Sequence, residues 1–340
     1  MKFIQRVPDA EELKNEFPLT QEQIGKRKER VSELEAILSG ESDKKIICIG
    51  PCSADREDAV LEYMERLVKL QEKVEERFIL VPRIYTSKPR TSGTGYKGLL
   101  HRPESIENTD DLYHGIIATR KMHLHIIQQT GLYGADEMLY PEAHIYISDL
   151  LAYTAVGARS VENQQHRMVA SGLDMPVGMK NPTSGDIEVM LNAIVAAQNK
   201  QSLLYHGWEC LTEGNPFAHA ILRGFIDSAG RNQSNYHYDN LCDLHDVYQK
   251  KNLSNMSVVI DCNHSNSRKR YDEQIRIAKE VMNMCAHDKE INGFVKGLMI
   301  ESYLEDGCQM IGNGIYGKSI TDPCLGWDKT ERLILDLCQL

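Results

Sequence analysis

The sequence contains no run of about 18 apolar residues, so no segment is long enough to cross a bilayer as a helix. Its mean hydropathy is −0.41, and its first twelve residues carry charges where a secretory leader needs an apolar stretch. We therefore expect a cytoplasmic protein without a membrane partner. Basic residues are scarce too: 39 Lys and Arg against 49 Asp and Glu give a net charge of −10, which argues against a nucleic-acid partner.

The nine cysteines include no Cys-x-x-Cys pair. An odd number of scattered cysteines fits neither a disulfide framework nor a zinc ribbon, so we expect reduced thiols that mostly fill the core. No repeat, Pro-rich linker or low-complexity tract divides the chain. With 41% hydrophobic residues over 340 positions, the chain can bury a large core, which excludes intrinsic disorder.

Beyond residue 40, short apolar runs alternate with longer amphipathic stretches. Such runs, bounded by turn residues and separated by helices, predict parallel β/α units. Eight of them favour a closed (β/α)8 TIM barrel over an open sheet. The runs are 45–50, 78–85, 134–139, 156–162, 175–180, 220–225, 257–265 and 293–302. The clearest helical patterns are 55–76, 105–130, 187–199 and 271–285.

Residues 1–40 are polar and show helical spacing of apolar side chains between Ile24 and Leu38. This segment is too polar to form a core of its own. We expect an N-terminal helical extension over 1–40, an arm for oligomerisation or regulation, that packs on its own barrel or on a neighbouring subunit. The catalytic barrel would then occupy 41–340.

Basic side chains follow several predicted strands, at the end of a barrel where active sites lie. An ordinary salt bridge would explain any one of them. Six together, in an acidic protein, favour binding of more than one phosphate group, or of a phosphate and a carboxylate. They are Arg83, Lys88, Arg90, Arg159, Lys180 and Arg223.

A second group of side chains comes from the first, seventh and eighth runs and the loop after them, which become neighbours once the barrel closes. Cys52, His264, Glu301 and Asp322 offer one sulfur, one nitrogen and carboxylate oxygens. This mixed set suits a borderline divalent transition metal with an open position for substrate or water. Taken singly, a strand-end cysteine or histidine is more often a packing or hydrogen-bonded core residue.

Seven stretches of the chain resemble the class I 3-deoxy-D-arabino-heptulosonate 7-phosphate (DAHP) synthases, the first enzymes of the shikimate pathway. In order, they are IGPCSADREDA, PRIYTSKPRTSGTGYKGL, VGARSVENQQHRMVASGLDMPVGMKN, ILRG, IDCNHSNSRK, MIESYLEDG and YGKSITDPCLGWDKTE. The resemblance implies a (β/α)8 barrel that acts as a 3-deoxy-7-phosphoheptulonate synthase, a transferase of aromatic amino acid and chorismate biosynthesis. It would condense phosphoenolpyruvate with erythrose 4-phosphate and release phosphate.

The resemblance also assigns residues to roles. The metal ligands, for Mn²⁺, Fe²⁺ or Co²⁺, would be Cys52, His264, Glu301 and Asp322. Phosphoenolpyruvate would be held by Arg83, Lys88, Gly157, Ala158, Arg159, Lys180 and Arg223. The aldose phosphate would lie near Lys88, Pro89, Arg90, Thr91 and Asp322. The catalytic set would be Lys88, as a proton shuttle, with Glu137 in an orienting or proton-handling role, and Cys52 and Asp322.

The sequence departs from the family's pattern in the stretches MLYPEAHIYIS at 138–148 and FIDSAGRNQSNYHYDN at 225–240. It also has Tyr153 at a position where the resembling enzymes usually have tryptophan. In the resembling enzymes the N-terminal arm helps to enclose an inhibitory aromatic amino acid. The first of these stretches, together with the region 181–222, which is shorter than in the feedback-regulated enzymes, alters the wall that faces the arm. We therefore expect a homo-oligomer, dimer or tetramer, whose inhibition by phenylalanine, tyrosine or tryptophan is weak or absent.

Two other functions remain open at this stage. The nearest enzyme is the related synthase that joins phosphoenolpyruvate to arabinose 5-phosphate, although the KPRTS and GKSITD segments favour the heptulosonate enzyme. The other alternative is a catalytically silent barrel kept as an amino-acid sensor or assembly partner. Loss of a metal or phosphate ligand would indicate a silent barrel, and all of them are present.

Overall fold

The computed structural model describes residues 1–90, 95–103 and 109–340. Within these ranges the strands, in chain order, are β1 (Lys45–Gly50), β2 (Phe78–Pro82), β3 (Ala135–Glu137), β4 (Tyr153–Val156), β5 (Val177–Lys180), β6 (Ser202–Tyr205), β7 (Trp208–Leu211), β8 (Ala218–Leu222), β9 (Phe225–Ile226), β10 (Asn232–Gln233), β11 (Val258–Asp261) and β12 (Val295–Glu301).

The helices surround these strands. In chain order they are α1 (Ala10–Glu16), α2 (Gln21–Ser39), α3 (Glu57–Val74), α4 (Leu112–Thr130), α5 (Pro141–His144), α6 (Gln164–Ala170), α7 (Ile187–Gln198), α8 (Tyr238–Lys250), α9 (Glu273–His287), α10 (Lys289–Phe294) and α11 (Trp327–Leu337), with a 3₁₀ helix at Ser148–Leu150. None of the helices described is both long and apolar enough to cross a membrane. The nine cysteines are all free thiols.

Eight of the described strands form one parallel sheet, in the order β2-β1-β12-β11-β8-β5-β4-β3. A parallel bridge between Arg83 and Ala135 brings the ends of this order together, and the Ile84 N–H donates to the Ala135 carbonyl at 2.9 Å. The sheet therefore curls into a barrel, as the eight predicted units require. The strand order places β2 opposite β8. The basic side chains that follow β2 and those that follow β8 therefore lie on opposite sides of the barrel.

The barrel strands are buried on both faces, and successive residues join different clusters. On β1, Ile46 and Cys48 pack with the interior side chains, whereas Ile47 and Ile49 pack with the surrounding helices. This alternation is what the two-residue period of a strand imposes. Each fully buried aliphatic side chain contributes about 1.5–3 kcal/mol, so the two layers hold the strand ends in place.

The N-terminal extension packs on its own barrel, one of the two locations expected. Helix α2 begins with a capping box between Thr20 and Gln23 and ends at Gly40, whose φ of 86° suits a residue without a side chain. Its Leu34 and Ile37 join the interior cluster. Arg27 fastens the helix further, since its two terminal nitrogens donate to the carboxylate of Asp174 at 2.9 and 2.8 Å.

The predicted position of the fourth strand is wrong. The strand is β4 (Tyr153–Val156), and the residues after it form a turn in which the Gly157 carbonyl accepts from Ser160 and Val161. The apolar pattern at 156–162 continued through this turn because Val161 is buried too. The short antiparallel pairs β6–β7 and β9–β10 were not predicted either, since each is an excursion between two barrel elements.

Candidate active site

A cavity of about 170 Å³ lies where the barrel strands end. Its lining brings together most of the side chains that the sequence singled out, from positions up to 270 residues apart. The predicted residues in its lining are Cys52, Arg83, Lys88, Pro89, Arg90, Glu137, Ala158, Arg159, Lys180, Arg223, His264 and Asp322. Thr91 lies outside the described residues.

Three predicted metal ligands converge on one point. Ligand atoms of Cys52, Glu301 and Asp322 all lie within 4.8 Å of one another, and Cys52 and Glu301 are buried. Two atoms bound to one ion at about 2.0–2.3 Å can be at most about 4.6 Å apart, so the cluster has nearly the size that an ion needs. His264 approaches from one side, with its Nε2 3.9 Å from Oε1 of Glu301.

The turn at Gly50 brings Cys52 to this point. A Cβ atom at Gly50 would lie 2.4 Å from the Arg83 carbonyl oxygen, so only glycine allows β1 to turn so close to the end of β2. The Cys52 Sγ then accepts from Lys88 Nζ at 3.2 Å. Burial raises the pKa of the Cys52 thiol, and Glu301 raises it further, while Lys88 opposes both. A divalent ion would supply the positive charge that a thiolate needs here.

Asp261 lies in close contact with His264, and it is a residue of the site that the sequence patterns did not single out. One oxygen of this fully buried carboxylate accepts from the Asn263 N–H at 3.0 Å, and the other lies 2.9 Å from Nδ1 of His264. The imidazole therefore turns its other nitrogen, Nε2, toward Glu301. Although burial opposes it, His264 and Lys180 lower the pKa of Asp261, so this carboxyl group stays charged.

The turn that carries His264 is strained. His264, Arg268 and Lys269 have φ values of 52°, 54° and 61°, a left-handed conformation that costs non-glycine residues free energy. Asp261 and the bond from Ser267 Oγ to Asn263 Oδ1, 2.7 Å long, hold the turn in this shape.

Glu301 is held in place from two sides. Arg83 Nη2 donates to its Oε1 at 2.8 Å, and Asn263 Nδ2 donates to its Oε2 at 2.5 Å. Arg83 also donates to the Pro51 and Cys52 carbonyls and stacks over the ring of Tyr85. Arg83 lines the cavity, but its main contacts are with the residues that form the metal cluster.

Lys180 lies between two carboxylates. Its Nζ is 3.4 Å from Oδ2 of Asp261 and 3.8 Å from Oε2 of Glu137. Glu137 reaches this position because Gly157 has no side chain: a Cβ there would lie 2.4 Å from its Oε1. This contact explains why glycine suits position 157, whose backbone the resemblance had placed beside phosphoenolpyruvate.

Arg159 and Arg223, which follow β4 and β8, form the cationic side of the cavity. Arg223 is only 8% exposed, and its Nη1 has no hydrogen-bond partner among the described residues. Burial lowers the pKa of Arg223, and the charge of Arg159 lowers it again. Two neighbouring guanidinium groups with an unused buried donor are arranged to receive an anion.

On the far side of the cavity, the segment after β2 contributes Lys88, Pro89 and Arg90. Asp322 faces them; burial raises the pKa of this carboxyl group, but His264 and Lys269 outweigh burial and lower it overall. Lys269 Nζ is 3.6 Å from Oδ1 of Asp322.

Sequence reasoning missed several residues of the site. Asp261 could have been predicted as a site residue, because it lies only three residues before His264 in the predicted run 257–265. The cavity is also lined by Thr183, Ile226, Asn232, Ser265 and Lys269. No sequence motif predicts these residues, because the loops that carry them fold back over the strand ends.

A sequence model of the DAHP synthetase I family matches residues 16–334. The chain belongs to this family. It is 38% identical over 316 residues to the Trp-sensitive phospho-2-dehydro-3-deoxyheptonate aldolase of Enterobacter agglomerans, which covers 89% of this chain and 86% of that protein. It is 35% identical over 333 residues to the Phe-sensitive enzyme of Escherichia coli K12, which covers 96% and 91%.

A solved structure of a family member has the same fold. The phospho-2-dehydro-3-deoxyheptonate aldolase of Francisella tularensis SCHU S4 superposes with a TM-score of 0.92 at 30% identity, over all of this chain and 98% of that one. The reaction of the DAHP synthase family is the condensation of phosphoenolpyruvate with erythrose 4-phosphate, which gives DAHP. This family is one of metalloenzymes, and the cluster of Cys52, Glu301 and Asp322 is the matching metal-site candidate.

Proposed function

We propose that the cavity described above is the place where this family member condenses its two substrates, and that Cys52, His264, Glu301 and Asp322 hold its divalent ion. The observation that carries the proposal is the convergence of a buried thiol and two carboxylates between two separate sets of cations. A site for one ion and two anionic substrates needs this combination.

The donor set fits a borderline divalent ion such as Mn²⁺, Fe²⁺ or Co²⁺, because it mixes sulfur, imidazole nitrogen and carboxylate oxygen. Such an ion would polarise the aldehyde carbonyl of erythrose 4-phosphate as a Lewis acid. Around it, Asp261 fixes the imidazole of His264, and Arg83 with Asn263 fixes both oxygens of Glu301. These contacts keep the ligand atoms in place before substrate arrives.

We assign phosphoenolpyruvate to the side of the cavity formed by β4, β5 and β8. Arg159 and Arg223 would clamp its phosphate, and Lys180 would bind the carboxylate or the bridging oxygen. Holding these charges orients C3 of phosphoenolpyruvate toward the aldehyde and stabilises the phosphate as it departs. Glu137 would keep Lys180 correctly placed from its position 3.8 Å away.

We assign the aldose phosphate to the opposite side, near Lys88, Pro89, Arg90 and Thr91, with Asp322 close by. Lys88 Nζ is within 3.2 Å of Cys52 Sγ, so it lies beside the point where the new C–O–H group forms. It would donate the proton that the new hydroxyl needs after C3 attacks the aldehyde. Water would then add at C2, and C–O cleavage of the resulting hemiketal phosphate would release inorganic phosphate.

An anaerobic assay of phosphoenolpyruvate loss, with erythrose 4-phosphate or arabinose 5-phosphate and with or without Mn²⁺, tests this function. We expect turnover with erythrose 4-phosphate alone, abolished by EDTA and restored by Mn²⁺. Turnover with arabinose 5-phosphate would identify the related synthase instead. The absence of turnover with either aldose, in a metal-loaded preparation, would indicate a silent barrel.

The division of the cations has its own test. Loss of a charge-assisted hydrogen bond costs about 1.5–3 kcal/mol. Arg90→Ala should therefore raise the KM for erythrose 4-phosphate more than that for phosphoenolpyruvate, and Arg159→Ala should do the reverse. Equal effects of either variant on both constants would contradict the division.

The names of the relatives point to an aromatic amino acid effector, and we propose that its pocket would correspond to an apolar cavity of about 430 Å³. Its lining includes Leu100, Ile116 and Tyr146. Its polar groups include His206, whose Nε2 is 3.5 Å from Glu142, and the Tyr140 hydroxyl, 3.1 Å from His101 Nε2.

The stretch 138–148, which departs from the family's pattern, supplies Tyr140, Glu142, Ala143 and Tyr146 to this lining, so the wall that would face an effector is altered. We propose that inhibition by phenylalanine, tyrosine or tryptophan is weak or absent. Titrating each amino acid at sub-saturating phosphoenolpyruvate is the test. Inhibition at micromolar concentration, about −8 kcal/mol of binding, would contradict it.

We also propose a homo-oligomer, dimer or tetramer, that uses part of the 1–40 arm. Helices α1 and α2 cover the barrel itself, but Met1, Phe3 and Ile4 remain exposed, as do Leu204 and Trp208 on the β6–β7 hairpin. Exposed apolar groups of this size favour association. Light scattering should show a dimer or tetramer, which removal of residues 1–9 weakens; a monomer in the full chain would contradict the proposal.

A further inference from the structure

The antiparallel ribbon β9–β10 reaches over one side of the active-site cavity. Its strands pair so that Ile226 lies directly opposite Asn232, which puts their side chains on the same face of the ribbon. Both residues line the cavity, together with Thr183. The other residue pair, Phe225 with Gln233, is absent from the lining.

The ribbon is fastened to the strand ends on the phosphoenolpyruvate side. The Ile226 N–H donates to the Thr183 carbonyl at 2.9 Å, three residues after Lys180 at the end of β5. Gly224, with a φ of 71°, donates to Oδ1 of Asn235 at 2.7 Å. The side chain of Asn235 in turn donates to Asn181 at 3.2 Å. The ribbon therefore keeps a fixed position above β5 and β8.

The tip of the ribbon is also ordered by its own side chains. Asp227 accepts from the backbone of Ala229 and Arg231, each at 2.9 Å, and from the side chains of Arg231 and Gln233, also at 2.9 Å. These bonds lower the pKa of Asp227 to about 2, the largest cause being the backbone of Arg231. A ribbon locked in this way can present one side chain with a defined geometry.

Asn232 is the side chain presented. Its amide makes no hydrogen bond in the described parts of the chain, and the nearby Arg223 Nη1 is likewise without a partner. Because β8 and β2 lie on opposite sides of the barrel, the amide belongs to the side of Arg159, Lys180 and Arg223.

We infer that Asn232 is a specificity-determining residue that donates a hydrogen bond from its side-chain amide to phosphoenolpyruvate. The inference rests on the assignment of the Arg159–Arg223 side to phosphoenolpyruvate in the proposed function. A neutral donor suits this position, because two guanidinium groups already supply the charge and a further cation would repel them.

Steady-state kinetics of Mn²⁺-loaded Asn232→Ala, Asn232→Asp and Gln233→Ala test the inference. We expect Asn232→Ala to raise the KM for phosphoenolpyruvate about tenfold, as loss of a hydrogen bond to a charged group does, with the KM for erythrose 4-phosphate unchanged. Asn232→Asp keeps the shape but adds a negative charge, so its effect on the same constant should be larger.

Gln233→Ala is the control for ribbon integrity, because it removes one of the four bonds to Asp227 and leaves the cavity face of the ribbon unchanged. Since the other three bonds remain, it should leave both KM values within about twofold of the parent. An equal rise in the KM for phosphoenolpyruvate in Gln233→Ala and Asn232→Ala would overturn the inference, since ribbon integrity alone would then explain it. So would unchanged kinetics in both Asn232 variants.

Arg223→Ala separates a failure of this inference from a failure of the proposed function. If Arg223→Ala raises the KM for phosphoenolpyruvate while the Asn232 variants do not, only the role of Asn232 is wrong. If Arg223→Ala raises instead the KM for erythrose 4-phosphate, the assignment of substrates to the two sides of the cavity is wrong.

Discussion

Replacing Asp261 by asparagine tests how the site is held together before any substrate binds. The carboxylate is fully buried, lies 2.9 Å from His264 Nδ1 and 3.4 Å from Lys180 Nζ, and accepts from the Asn263 N–H. An amide keeps the shape but loses the charge that fixes the imidazole and offsets Lys180. The variant isolates orientation from ligation, because Asp261 is not among the residues proposed to bind the ion.

Loss of the partner that orients a metal-binding histidine typically weakens metal affinity about 10- to 100-fold. This corresponds to about 1.4–2.7 kcal/mol of binding free energy. Breaking a buried ion pair by removing one partner also costs about 3–5 kcal/mol of stability. We therefore expect Asp261→Asn to bind Mn²⁺ 10- to 100-fold more weakly and to unfold at lower urea concentration.

Competition with a fluorescent chelator, under anaerobic conditions, measures the affinity. Asp111→Asn is a matched control, because Asp111 and His114 form a pair with the same three-residue spacing, 2.7 Å apart on the surface. The control should bind Mn²⁺ as the parent does. An unchanged Mn²⁺ affinity in a folded Asp261→Asn would refute the argument that Asp261 positions His264.

Three further predictions concern oxidation, pH and the metal ligands. The Cys52 N–H donates to Cys324 Sγ at 3.4 Å, so air oxidation of the metal-free protein should form a disulfide between Cys52 and Cys324 and abolish activity until a thiol is added. Cys324→Ala should keep its activity after the same treatment, and a peptide map of the oxidised protein without this disulfide would contradict the prediction. Burial lowers the pKa of His219 to about 4, below its unfolded value of about 6.5. The stability that neutral His219 contributes is therefore present above pH 6.5 and is lost, by up to about 3 kcal/mol, as pH falls toward 4. In urea titrations, the free energy of unfolding of His219→Gln should depend less steeply on pH than that of the parent. An equally steep dependence would contradict the prediction. Cys52→Ala should lose the metal as well as activity, because a methyl group offers no donor; a full metal content would exclude Cys52 as a ligand.

Much of the barrel could be predicted from the sequence, because its strands are buried on both faces. Such strands read as short continuous apolar runs, and seven of the eight runs share three or more residues with an observed strand, whereas the fourth shares only Val156. The fourth failed where Val161 extended the apolar pattern into a turn. The hairpin β6–β7 left no such trace, since Leu204, Trp208 and Leu211 are apolar but exposed.

Some residues of the site could likewise be predicted from the sequence, and others could not. Cys52, His264 and Glu301 could be predicted because each follows or ends a barrel strand, and strand ends meet at one place. Asn232 could not, because its position depends on the ribbon that folds back over the cavity. Nor does sequence spacing reveal that Arg83 contacts Glu301, since the two residues are 218 positions apart.

We propose that one divalent ion binds among Cys52, His264, Glu301 and Asp322. Anomalous diffraction from crystals grown anaerobically with Mn²⁺ would locate this ion. We expect one strong peak in each chain, about 2.0–2.3 Å from the sulfur, the imidazole Nε2 and a carboxylate oxygen of each acid. A crystal of active enzyme with no peak at this cluster, or with its peak elsewhere in the barrel, would contradict it.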